Sequence, residues 1–184
     1  MLQTLLNRLR NFRDRTDGSV SVEFILAMPI VFWAFMAVYV FFDGYRQSAI
    51  NLKAAYTISD LISRETEAIN DNYIDSMHSM FKLLTRATSI TSLRITVIRW
   101  DAEDDRYYVE WSEDRGFGLA LDDNAVQSLE DKLPVMPDEE RVIVVETRNT
   151  FVPLYNVGME NKQLENFVFT RPRFAPQVVF DNNA

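Results

Sequence analysis

The chain has 184 residues, no cysteine, one histidine and a formal net charge of -8. That length suits one modest domain with accessory segments. The missing cysteines exclude disulfides and thiolate metal sites, and the acidic balance argues against nucleic-acid binding, which needs clustered Lys and Arg.

Charge divides the chain into three parts. Residues 1–18 carry Arg8, Arg10, Arg13 and Arg15 against Asp14 and Asp17, a net of +2. Glu23 is the one charge between residues 19 and 42, so residues 43–184 hold a net of -9. A basic leader (1–18), an apolar segment (19–42) and an acidic body (43–184) follow one another.

Phe24 to Phe42 is nineteen residues without a charge, FILAMPIVFWAFMAVYVFF. A helix of roughly 20 apolar residues crosses a bilayer core. Pro29 sits near its start, and Tyr39, Phe41 and Phe42 before Asp43 have the character of an interfacial belt. A buried core helix would show a polar face, and this segment has none. A cleaved secretory signal would have a shorter apolar run and a small-x-small site, which WAFMAVY does not supply. The segment is therefore expected to be a retained transmembrane helix. The positive-inside rule places the leader in the cytoplasm and the body beyond the membrane.

From Tyr45 to Ile69 a helical pattern continues, with Ile50, Ala54, Ile58, Leu61, Ile62 and Ile69 near one face. Lys53, Ser59, Ser63 and Arg64 are expected away from it. Asn70-Asp71-Asn72 reads as a break or cap. A second helical stripe follows through Tyr73, Ile74, Met77, Met80, Phe81 and Leu84, best read as core packing. His78 lies in this stripe without a companion ligand and is assigned no catalysis.

Strands are predicted at 92–100 and 106–112, joined as a hairpin across the acidic tip Asp101-Ala102-Glu103-Asp104-Asp105, and at 141–151 and 166–174. The tip has neither the glycine nor the glutamate of an EF-hand loop and reads as solvated. Asp123 to Lys132 predicts a short helix ended by Pro134 and Pro137. Helices followed by antiparallel strands give an α+β unit. No Walker A loop, Gly-x-Ser-x-Gly, His-Glu-x-x-His or GxGxxG occurs, so no enzyme constellation, metal site or cofactor is expected.

Two further features carry a resemblance. Gly18 precedes the apolar segment, Glu23 is the fifth residue after it and Phe24 the sixth. With the basic leader, this resembles a type IV prepilin signal. The Glu-Phe pair before a proline-bearing apolar run, YRQSAINLKAAYTISDLISRE at 45–65 and FTRPRF at 169–174 are similar to the TadE/TadF pseudopilins of Tad (tight adherence) Flp pilus assembly. The resemblance implies cleavage between Gly18 and Ser19 by prepilin peptidase. It implies a Glu23 that meets the new N-terminal amine of a neighbouring subunit, and a pilin-like fold with a long helix on a small sheet. Ser19 stands where the best-known pilins have a methylated Phe. The implied partners are the peptidase, a second minor pseudopilin, the major Flp pilin and the inner-membrane assembly platform, with the body periplasmic. From the residues alone, proline and charge guarding the end of an edge strand are the preferred reading of Arg171 and Arg173; the resemblance makes them candidate partner contacts. The alternative is a single-pass anchored binding or scaffold domain that is never processed. A membrane-tethered hydrolase is the weaker third reading.

Overall fold

The computed structural model describes residues 19–181 together with Gln3, Arg10 and Asn11. Helix α1 (Ser19–Ser63) is 45 residues long and is followed by α2 (Asp71–Thr85). Strands β1 (Thr91–Asp101) and β2 (Arg106–Arg115) come next. A short helix α3 (Asp123–Gln127) and a 3-10 turn (Glu130–Lys132) precede β3 (Arg141–Phe151) and β4 (Lys162–Thr170). The four strands form one antiparallel sheet in the order β2-β1-β3-β4, an α+β layout.

The chain divides into two compact units, one holding the residues to Phe42 with Leu154–Met159, the other Asp43–Pro153 with the residues from Glu160 on. In the second unit, the part of α1 beyond Phe42 packs on the sheet. Ala54, Ile58 and Ile62 of α1 and Ile74, Met77 and Phe81 of α2 meet Leu93, Ile95, Val97, Ile143 and Val145 in a single apolar cluster. The period of 3.6 on the helices and of 2 on the strands aligns these side chains. Register pairs Ile95 with Val145 and Val97 with Ile143, so both central strands offer apolar residues to the same side. Phe81 and the five isoleucines Ile58, Ile62, Ile74, Ile95 and Ile143 are fully buried, each worth about 1.5–3 kcal/mol of transfer free energy.

The opposite face of the sheet is covered too. Ile98, Val142 and Val144 pack with Tyr107, Val126 and Met136. Burial on both faces explains the unbroken apolar run Val142–Val145, which an alternating strand would not carry. Glu110 has no partner in the β1–β2 register, where Val97 pairs with Trp111 and Ile98 with Val109, and this bulge redirects the outer half of β2.

Local sequence explains the helix ends. The Asn70 side chain accepts from the Tyr73 N–H at 3.0 Å and caps α2. Arg86 closes α2 in the left-handed region (φ 49°), with Ala87 N–H reaching Lys82 O.

Four expectations need correction. The helical pattern from Tyr45 stops at Ser63, and Ile69 instead pairs with Phe180. Ser59 and Ser63, expected on the outer face, are buried. Small side chains let α1 lie close, and Ser63 Oγ satisfies itself on Asp60 O at 2.7 Å. The 123–132 helix is split into α3 and the 3-10 turn. The last strand starts four residues early and ends at Thr170 rather than running to 174, because Pro172 cannot donate to the ladder.

Candidate functional site

The first half of α1 is the least ordinary surface of the molecule. Gly18 lies outside the described residues; Ser19 is the first residue of α1. Glu23 follows one helical turn later on the same face, and its side chain is exposed. The first turn itself holds no acidic residue, so Glu23 falls beyond the capping positions counted from Ser19. Phe24 is 60% exposed, and Leu26, Ile30, Trp33, Phe35, Val38 and Phe42 are similarly uncovered. With Ile25, also exposed, they surround the helix axis. Between Val20 and Phe42 only Val40 is fully buried.

This exposure removes the core-helix reading of residues 24–42. Large apolar side chains exposed together along one segment, rather than scattered singly, mark contact with lipid or with other proteins. The helix is long and apolar enough to cross a membrane. Pro29 sits inside it without interrupting it. Proline has no N–H, so the Ile25 carbonyl one turn earlier is released from the helical ladder.

The second candidate element is the segment after β4. Arg171 Nε lies 2.8 Å from Glu140, and Arg173 lies 3.0 Å from Asp60. The Arg173 N–H also donates to Ser63 O at 2.8 Å, satisfying one of the carbonyls left open at the end of α1. The chain then continues as a strap. Trp111 Nε1 donates to Val178 O at 2.8 Å, Val178 is buried, and Ile69 exchanges backbone hydrogen bonds with Val179 and Asp181. Each arginine thus has an acidic neighbour within its own chain, and the segment ties the end of α1 to β2.

The acidic hairpin tip is internally bonded. Asp101 Oδ1 accepts the N–H groups of Glu103 and Asp104, its Oδ2 accepts from Arg99 at 3.1 Å, and Asp104 accepts from the Tyr108 hydroxyl at 2.6 Å. The Asp104 N–H, followed by the Arg99 guanidinium and the Glu103 N–H, holds the Asp101 carboxyl below the usual range. Arg99 also pairs with Glu139 and, with Arg141, faces Glu110. Among the described residues no group of three or more His, Asp or Glu is placed to hold a metal ion. His78 Nε2 is 3.1 Å from Thr91 O and 3.0 Å from Thr91 Oγ1, a structural tie between α2 and β1.

Another polar tie is a clamp between β2 and α2. Arg115 lies 2.7 Å from Asp71 and 2.5 Å from Asp75. Burial works against its charge, but the hydrogen bonds to Asp75 and Asp71 outweigh it and raise its pKa. Burial, helped by a hydrogen bond to Glu65, likewise raises the Tyr73 hydroxyl.

Sequence reasoning missed the strap and the clamp, because both join residues forty or more positions apart. Trp111 and Arg115 lie in a strand of mixed polar and apolar residues, RYYVEWSEDR, where neither stands out as a local signal. No protein-family model matches the chain, and no curated protein or solved structure matches it.

Proposed function

We propose that this protein is a minor pseudopilin of a Tad-type (Flp) pilus assembly system. It is made with a basic cytoplasmic leader and cut by prepilin peptidase between Gly18 and Ser19. Residues 24–42 then hold it in the cytoplasmic membrane, with the acidic body on the periplasmic side. Its role is structural: it supports pilus biogenesis together with another minor pseudopilin, the major Flp pilin and the inner-membrane platform.

One observation carries the reading. A single 45-residue helix exposes apolar side chains all round its first half, packs its second half on a small antiparallel sheet, and bears Glu23 one turn from Ser19. Carboxylates are costly within a membrane and are kept where they pair or act. Cleavage after Gly18 would create an α-amino group of opposite charge at Ser19. Four residues of helix rise about 6 Å. A neighbouring subunit displaced by that amount along the axis would bring its amine level with Glu23.

The N-terminus of the membrane-extracted protein tests this, read by intact mass and terminal peptide sequencing with and without co-expressed peptidase. A peptidase-dependent start at Ser19, abolished by Gly18→Ala, is the expected result. Met1 in both cases overturns it and leaves an unprocessed anchored domain.

A further inference from the structure

The loop between β3 and β4 is built unlike the rest of the body. From Asn149 to Met159 the chain runs eleven residues without a charge, the longest such stretch after Phe42, within a body of net charge -9. Arg148 and Glu160 bound it. Leu154 is 68% exposed and Tyr155 41% exposed, with Val157 and Met159 half-buried. The turn is shaped rather than loose: Gly158 takes φ +90°, and its N–H reaches the Asn156 side chain at 3.3 Å. Apolar residues scattered singly on a surface need no explanation, but a charge-free cluster on a defined loop does.

Its location supplies the explanation. Leu154–Met159 belongs to the same compact unit as the first half of α1. The Tyr155 ring stands edge-on to Tyr39, with centroids 6.3 Å apart. Tyr39 lies three residues before the end of the apolar segment, about 4.5 Å along the axis. That is the level at which amphipathic rings gather at a membrane–water boundary.

We propose that Leu154–Met159 is a second membrane contact, a loop seated in the interfacial layer of the leaflet nearest the body. The occupant of this surface is lipid. The apolar side chains meet the upper acyl region, the two tyrosines sit among headgroups, and the missing charges avoid a desolvation cost. The inference rests on the membrane-spanning reading of residues 24–42. It adds a second membrane anchor beside the helix.

The cysteine-free chain makes the test direct, because each introduced thiol is a unique labelling site. Full-length Leu154→Cys, Phe32→Cys and Leu119→Cys are labelled with an environment-sensitive fluorophore and reconstituted in phosphatidylcholine–phosphatidylglycerol vesicles. These vesicles carry lipids with a nitroxide either near the headgroup or at mid-chain. The Leu154 probe is expected to lose most of its emission to the shallow nitroxide and little to the deep one. Phe32 should show the reverse, and Leu119, an exposed leucine of the body, should respond to neither. A Leu154 probe that behaves like Leu119 while Phe32 is quenched overturns the loop assignment and leaves the span intact. An unquenched Phe32 overturns the span, and the loop assignment falls with it. A Leu154 probe blind to both nitroxides but blue-shifted as protein density rises marks a protein contact and refutes lipid as the occupant. Val157→Cys repeats the measurement if Leu154→Cys does not fold.

Discussion

Asn51 and Asn149 are buried, at 0% and 2% exposure, where α1 meets β3. Asn149 Nδ2 donates to Asn51 Oδ1 at 3.2 Å, Asn51 Nδ2 donates to Gln47 O at 2.8 Å, and Ser89 Oγ donates to Asn149 Oδ1 at 2.7 Å. Asn149→Leu would strand the Asn51 carbonyl oxygen; Ser89 would keep its second acceptor, Thr150 O. An unsatisfied buried polar group costs about 1–3 kcal/mol, and Asn51→Leu should cost a similar amount by stranding Asn149 Nδ2. Replacing both carboxamides by leucines of nearly the same shape leaves neither group orphaned. The double variant should therefore lose less than the sum of the singles, by about 1 kcal/mol or more. Urea unfolding of the full chain in detergent micelles, followed by tryptophan fluorescence, gives the three values. The midpoints should shift without a change of slope. Strictly additive losses would refute the reasoning, for they would mean that α1 is not held to β3 through this pair.

Other outcomes follow from the same structure. Glu23→Gln should insert in the membrane and be processed normally yet fail to support piliation; a Glu23→Gln strain with normal pili removes the case for that carboxylate. Phe81→Ala should destabilise the body by about 3–5 kcal/mol in the same unfolding assay, because the side chain is fully buried in the helix–sheet cluster. Arg173→Ala should cost no more than about 1 kcal/mol, since its pair with Asp60 is largely exposed and its backbone bond to Ser63 survives. The depressed Asp101 pKa predicts a pH effect of definite sign. Its stabilisation is present above the unfolded aspartate value, about 3.9, and disappears as pH falls through the lower folded value. Asp101→Asn should therefore lower the Tm at neutral pH, and its difference from the native chain should close in acid.

Much of this protein was legible in one dimension. The uninterrupted apolar residues 24–42 announce a helix that cannot be buried by its own body, since no polar stripe exists to face water. Asn70 and the apolar periods mark α2 and the strands, because caps and side-chain alternation are local properties. Gly18, Ser19, Glu23 and Phe24 are likewise neighbours in sequence, so the candidate processing motif is visible without a fold.

What local pattern could not reveal is which distant residues meet. Ser59 and Ser63 look like surface positions until close packing buries them. Val142–Val145 reads as a simple apolar run, and only the second cluster around Val126 and Met136 shows that both sheet faces are covered. Arg171 and Arg173 could have been free for a partner; folding sets them on Glu140 and Asp60. Tyr155 is ordinary in sequence and acquires meaning only because the fold returns it to Tyr39, more than a hundred residues earlier. Helix and strand tendencies arise from near neighbours along the chain, whereas buried polar pairs, strap contacts and the charge-free loop beside α1 depend on contacts that exist only after the chain has closed on itself.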